Sequence, residues 1–301
     1  MTQSDENSRI PTLQWFPGHM KKAQRLIEEN LKLVDVVIEL LDARIPASSA
    51  NPLLASLIAG KPRLIALNKS DLADPALTKK WLAYFRQHEL PAVAIDANQG
   101  KGMKQLVAAA EELARPRTDR FVKAGGQPRA ARCMILGIPN VGKSSLINRL
   151  AKAVKAKAAN TPGVTRAKQW IKIDRNLDLL DKPGVLWPKF EDPTVGLKLA
   201  FTGAINDDIY DQEQVTYLLL ETLRRDAPER LVERFKLKEP LPEADYELLE
   251  AIGRKRGCLV RGGIVDTEKA QRIVMTEFRT GKLGRVTLDP VPEEGAEAQH
   301  P

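Results

Sequence analysis

The sequence predicts an α/β fold, a doubly wound parallel sheet of the phosphate-loop type, followed by an all-helical C-terminal domain. Three observations carry that expectation. Short apolar runs of strand length alternate with helical segments through the first 180 residues. Each polar motif falls directly after one of those runs, where ligands bind in open α/β sheets. From Asp211 onward the pattern turns helical, and no strand of comparable strength follows.

The elements follow in order. Residues 1–12 are polar, unlike a signal or transit peptide, and are expected to be disordered. Val34 to Leu41 is a strand ending at Asp42, and Arg63 to Leu67 a strand ending at Asn68. Ala92 to Ile95 ends at Asp96-Ala97, Arg132 to Leu136 runs into Gly137, and Leu177 to Leu180 ends at Asp181. Leu77 to His88, Lys101 to Ala114 and Ser144 to Leu150 read as helices. Thr118 to Pro128, with Gly125-Gly126, reads as a surface linker. Past Gly184, the residues Pro188, Pro193 and Gly196 mark a loop. Asp211-x-x-Gln214 then opens a capped amphipathic helix through Val215, Leu218, Leu219 and Leu223. Three shorter helices are expected at 231–235, 246–252 and 268–278. The domains so read are 13–200 and 201–288, with a disordered tail over 289–301.

Composition narrows the class. A hydrophobic share of 43% is enough for a core. No apolar run approaches the roughly 18 residues that span a bilayer, so no membrane partner is expected. Cys133, inside an apolar strand, reads as a small core residue, and a reducing cytoplasm fits. The net charge of +8 suggests a polyanionic partner, because clustered cations raise the local potential and release counterions on binding.

Two motifs carry the chemistry. Gly137-Ile138-Pro139-Asn140-Val141-Gly142-Lys143-Ser144 is a complete phosphate-binding loop set between a strand and a helix. Its backbone amides converge on phosphate oxygens at a helix start, with Gly137 and Gly142 giving the chain its freedom. Lys143 should reach the β- and γ-phosphates, the Ser144 hydroxyl should ligate magnesium, and Asn140, Val141 and Ser145 complete the cradle. Asp181-Lys182-Pro183-Gly184 should hold magnesium through water at Asp181 and sense the γ-phosphate at the Gly184 amide. Thr165 is the candidate switch threonine, joining the magnesium shell only with triphosphate bound.

The second motif is Asn68-Lys69-Ser70-Asp71. Asp71 can accept both the N1 and N2 donors of guanine, a pair that adenine lacks. Lys69 would lay its stem along the base, and the Ala97 amide would donate to O6. In ordinary GTPases the phosphate loop precedes the base-reading motif. Here the order is reversed.

That order resembles the circularly permuted GTPases, and further motifs resemble the ribosome biogenesis GTPase A family. They are Trp15-Phe16-Pro17-Gly18-His19-Met20, Asp42-Ala43-Arg44-Ile45-Pro46, and the distal Gly262-Gly263-Ile264-Val265-Asp266 and Phe278-Arg279-Thr280-Gly281-Lys282-Leu283-Gly284. The likeness covers about residues 13 to 288. Lys182 and Asp96 depart from the family, which often has Thr and Ser there. The resemblance implies a GTPase that converts GTP to GDP, assists late assembly of the large ribosomal subunit, binds its ribosomal RNA, and is monomeric off the ribosome.

Val185 stands where Ras-like enzymes place a water-orienting Gln, so slow turnover without help is expected. Asn140 resembles the potassium-coordinating Asn of cation-activated GTPases; a loop-stabilising role is the alternative. His19 is the family's candidate water-positioning residue, or else structural or RNA-facing. In the helical domain Arg254, Lys255, Arg256, Arg261, Arg272, Arg279, Lys282 and Arg285 point to nucleic-acid contact. Two rival readings remain at this level, an RNA-binding scaffold using GTP as a structural ligand and another phosphate-loop enzyme such as a small-molecule kinase.

Overall fold

The computed structural model describes residues 18–58, 60–157, 170–180 and 192–292. They fall into two units: 18–180 with 289–292, and 192–288.

In the first unit the strands are β1 (Val36–Asp42), β2 (Arg63–Asn68), β3 (Ala92–Ala94), β4 (Ala131–Gly137), β5 (Trp170–Asp174) and β6 (Leu177–Leu180). Their order across the sheet is β3-β2-β1-β4-β6-β5. The pairs are parallel except β5 with β6, which is antiparallel. The helices are α1 (Gly18–Leu31), α2 (Pro46–Ser49), α3 (Pro52–Leu57), α4 (Pro75–Gln87), α5 (Met103–Lys123) and α6 (Lys143–Lys157).

β1 is buried along its whole length, as expected of a central parallel strand covered on both faces. Val37, Leu41, Ile65, Leu67, Met134 and Leu136 belong to two apolar clusters that also take in Ile27 and Leu31 of α1, Leu54 of α3, and Trp81, Tyr84 and Phe85 of α4. Those strand positions share one parity in the register, hence one face of the sheet. The opposite parity meets α5, whose buried stripe is Leu106, Ala110 and Ala114. Glu39, in the middle of β1, is paired with Arg63 of the neighbouring strand. Burial pushes its carboxyl up, against the pull of that arginine. Cys133 is buried in β4 with its thiol pushed up to about 12 by desolvation, in keeping with an inert core residue.

Three expectations for this unit need correction. The supposed linker from Thr118 is helical as far as Lys123, because α5 runs on through Pro116 and ends only at Gly125-Gly126. β5 was not expected. It is a short edge strand with charged residues at Lys172 and Asp174, which gives no apolar run. The tail does not begin disordered. Asp289 is 2% exposed and accepts hydrogen bonds from the Ser48 backbone N–H (2.7 Å) and hydroxyl (2.8 Å). Its carbonyl accepts from Trp81 Nε1 (3.2 Å), and Val291 packs on the cluster around Trp81. Tertiary hydrogen bonds override a composition that favours disorder.

The second unit contains α7 (Pro193–Thr202), α8 (Gln212–Asp226), α9 (Pro228–Phe235), α10 (Asp245–Lys255) and α11 (Thr267–Arg279). Side-chain caps start three of them: Asp192 on α7, Asp211 on α8 and Asp266 on α11. Phe201, Leu219, Leu223, Leu231, Phe235, Leu249, Val274 and Phe278 are all buried. α7 belongs here, so this unit begins before the expected boundary at 201, and Pro193 and Gly196, expected in a loop, lie inside the helix, whose first position accepts proline.

Candidate nucleotide site

Three strand ends meet in register. Asp42 closes β1 opposite Asn68, which closes β2, and Leu40 of β1 pairs with Gly137, which closes β4. β1 and β4 are also where the winding reverses, since β2 and β3 lie on one side and β6 and β5 on the other. In open parallel sheets the crevice at this switch point is the ligand site.

Asn68 ties the two motifs together. Its Nδ2 donates to the Val141 carbonyl in the phosphate loop (2.7 Å), and its Oδ1 accepts from the Ala97 N–H (3.0 Å). Being 2% exposed, it must satisfy both ends of the amide within the protein. This contact explains Gly142. A Cβ there would lie 2.3 Å from Asn68 Nδ2, and its φ of +105° is one that other residues rarely adopt. Gly137 is equally constrained, since a Cβ would lie 2.5 Å from the Leu40 carbonyl.

The Ala97 amide, expected at guanine O6, donates to Asn68 in this structure. The neighbouring Asn98 and Gln99 amides both donate to Asp96 Oδ1 at 2.9 Å. The carboxylate thus folds the turn itself, which accounts for Asp at a position where relatives often use Ser. Arg149, on α6, donates to the Ala97 carbonyl (3.2 Å) and so fastens this turn to the helix that follows the phosphate loop.

Lys69 has a left-handed φ of +59°. Its ammonium sits 3.0 Å from Asp42 Oδ2 and donates to the Asn140 carbonyl at 2.9 Å, a second strut between the motifs. Asp42 also receives Arg44 in a two-pronged contact (2.9 and 2.7 Å). Burial would raise the Asp42 carboxyl, but the Arg44 and Lys69 cations outweigh it and hold the group well below the usual carboxylate range. Asp42 and Arg44 belong to a motif that pointed only to the family. Their role as the buried anchor of Lys69 had no local signal, because it depends on a residue 27 positions away from Asp42.

Lys143 opens α6 and donates back to the Gly137 (2.9 Å) and Ile138 carbonyls. Burial lowers its ammonium to about 8. Ser144 and Ser145 are exposed on the first turn of α6, and Asn140 is exposed at the loop apex, with φ +54°. Asp71 is half-buried beyond the end of β2. Backbone amides, an ammonium and a hydroxyl at a helix start are a donor set for a phosphate chain and its divalent cation. Thr165, Asp181, Gly184 and Val185 lie outside the described residues, and so does the side chain of His19, which stands in the first turn of α1. Among the described residues no cluster of His, Cys, Asp or Glu could hold a metal by itself.

The basic set of the helical unit divides. Arg256 is engaged by Glu277 (3.0 Å) and lies over the Phe235 ring, and Glu277 also takes Arg234 (2.8 Å). Arg279 binds Asp207 (2.6 Å) together with the Ala200 and Phe201 carbonyls. Both hold the helices together, which corrects their reading as nucleic-acid contacts. Arg254, Lys255, Arg261, Arg272, Lys282 and Arg285 are exposed.

Residues 132–240 match the family described as 50S ribosome-binding GTPase. That match starts at the strand leading to the phosphate loop and leaves Asn68 to Asp71 outside it, as a reversed motif order requires. The chain is 52% identical over 285 residues to Ribosome biogenesis GTPase A of Bacillus cereus, covering 95% of this chain and 96% of that one. It is 37% identical to Mitochondrial ribosome-associated GTPase 1 of Mus musculus, covering 91% and 89% of the two chains. Among solved structures, GNP-bound YlqF from T. maritima superimposes with a TM-score of 0.61 at 29% identity, over 89% of this chain and 97% of that one. With just over half of its positions identical across nearly its whole length, and with the Asn68 strand end locked to a phosphate loop that follows it, this chain belongs to the ribosome biogenesis GTPase A family.

Proposed function

We propose that this chain binds GTP with magnesium in the crevice at the ends of β1 and β4, hydrolyses it slowly alone and faster on ribosomal particles, and acts in late maturation of the large ribosomal subunit. On this reading its grip on ribosomal RNA depends on the bound nucleotide. The observation that carries it is the Asn68 bridge, which makes the base-reading and phosphate-reading halves one site although 73 residues separate Asn68 from Val141. The names of relatives support the ribosomal role, and the GNP-bound and GDP-bound YlqF structures support the nucleotide.

The residues divide the work. Asp71 selects guanine by accepting two donors from its edge. Amides of the loop from Gly137 to Ser144 hold the phosphates, and Lys143 leaves its carbonyl partners to neutralise the β–γ bridge. Ser144, with Thr165 and Asp181, would hold the magnesium, whose charge offsets that building up on the γ-phosphate oxygens. The Asn140 side chain would hold a potassium ion, which would supply positive charge in place of an arginine finger. His19 orients the attacking water, since Val185 has no group to do so. The Gly184 amide reads the γ-phosphate. The six exposed cations of the helical unit contact RNA phosphates.

Substituting Asp71→Asn tests the site. It should weaken GTP binding about 100-fold or more, the scale of two lost charge-assisted hydrogen bonds, and transfer preference to xanthosine triphosphate. Titration with the two labelled nucleotides measures both effects. Unchanged guanine preference would remove Asp71 from the site.

A further inference from the structure

The parallel sheet has a second edge. Val34 and Asp35 precede β1, Pro62 precedes β2, and Arg129 and Arg132 flank the start of β4. With the end of α5 they line a cleft of about 740 Å³ at the amino ends of the strands, away from the nucleotide crevice at the carboxyl ends. Lys32, Arg117, Arg120, Arg129 and Arg132 all face it, and Asp35 is the acid in its lining.

That acid is already engaged. Arg129 grips it with two nitrogens (2.7 and 3.0 Å), and the Arg132 backbone N–H donates to it at 2.9 Å. Burial pushes the Asp35 carboxyl up, but Arg129 and the Arg132 amide overcome this and hold it below its ordinary value. Among the described residues no carboxylate pairs with Lys32, Arg117 or Arg120. Beside the cleft, Lys61 donates to the Val34 carbonyl (2.8 Å), and burial together with the Arg117 charge lowers its ammonium. Five cations thus line the cleft against one acid, so positive charge is in excess even with Asp35 paired to Arg129 and acting on Arg117 and Lys61.

The arginines are also held in position. The Arg129 guanidinium lies over the Phe121 ring at 5.1 Å, and that of Arg132 over Trp170 at 4.8 Å. Stacked guanidinium planes lose little freedom on meeting a phosphate. Phe121 is 43% exposed beside Arg120, which adds a flat apolar face to a cationic groove.

We propose that this cleft is a second RNA-contact surface, on the GTPase unit itself, taking the sugar-phosphate backbone of folded RNA. The cations come from three separate segments, the turn after α1 (Lys32), the later turns of α5 (Arg117, Arg120) and the start of β4 (Arg129, Arg132). A chain of phosphates fits that spread better than a single phosphate does. The inference rests on the RNA partner of the proposed function and adds a site to it.

The test uses the full chain, a labelled double-stranded RNA hairpin, and fluorescence anisotropy over a range of salt. Arg117→Glu with Arg120→Glu should lower affinity about tenfold or more and flatten the plot of log K against log salt by about 1 to 2 units. GTP turnover without ribosomal particles should stay at the wild-type rate, because neither residue is near the nucleotide. The milder Arg120→Gln, at an exposed position, should weaken binding about threefold and guards against misfolding of the double variant. A wild-type salt slope in both would overturn the cleft. Arg254→Glu with Lys255→Glu separates the two readings. Binding weakened by that pair alone sinks the cleft and leaves the helical surface standing, while no RNA binding by the wild-type chain sinks both.

Discussion

Asp42 and Asp35 stand at opposite ends of the same central strand, and their surroundings differ in kind. Asp42, at the carboxyl end, is 2% exposed, answers two cations and through Lys69 reaches the Asn140 carbonyl of the phosphate loop. Asp35, just before the amino end, answers one arginine while several further cations crowd the cleft around it. One edge has its charges closed into a network that fixes a loop. The other carries more cations than its single acid can pair, the excess on which the proposed RNA contact rests. A cation bound internally serves geometry, whereas a cation left over serves recognition. The same division appears in the helical unit between Arg256 and Arg279 on one side and the exposed Lys255 and Arg261 on the other.

Three substitutions or titrations, beyond those already given, bear on this contrast. The largest effect should follow Asp42→Ala, which strands Arg44 and Lys69 in a buried site and should cost about 3–5 kcal/mol, read from the denaturation midpoint. The sign with pH is fixed by the depressed carboxyl. Asp42 contributes its full stability above the ordinary aspartate range, and that contribution falls away as pH drops through its lowered folded value. The variant should therefore lose less stability on acidification than the parent. Equal acid sensitivity would mean that the network does not carry charge-dependent stability.

A smaller loss, about 2–3 kcal/mol, is expected of Asn68→Ala, which leaves the Val141 carbonyl and the Ala97 N–H without partners. Because those groups belong to the nucleotide site, GTP affinity should fall along with stability. A variant that is destabilised but binds GTP normally would show that the bridge shapes the fold without shaping the site. The smallest effect concerns Lys143, whose burial lowers it to about 8. Its folded value lies below the ordinary lysine value, so the unfolded chain binds more protons between the two and stability rises with pH across that interval. Phosphate favours the charged form, so GTP binding near pH 8.5 should take up a fraction of a proton. Calorimetry in buffers of different ionisation enthalpy would detect it, and buffer-independent heats would count against it.

Much of this was legible in the sequence. Five of six strands announce themselves as apolar runs ending in a polar motif, because parallel strands buried on both faces need continuous hydrophobicity and ligands gather at their ends. The sixth, Trp170–Asp174, is an edge strand half-open to water and carries no such signature. Helix α5 passed unread beyond Ala114 because Pro116 and the glycine pair resemble a stop, yet its buried stripe holds it against the sheet. The Asn68 bridge to the Ala97 amide had no local signal, because the two residues are 29 positions apart.

Residue order by itself determined the sheet, the cradle for phosphate and the inverted succession of motifs, since these depend on periodicity and on neighbours a few positions apart. Which charges are mutually satisfied was decided only by the tertiary structure. Asp289 beside Ser48, Glu277 between Arg234 and Arg256, and Lys69 on Asn140 join residues from 21 to 241 positions apart. The reason is physical. A salt bridge or a buried hydrogen bond forms between groups that folding brings within about 3 Å, and separation along the chain says little about which groups those are.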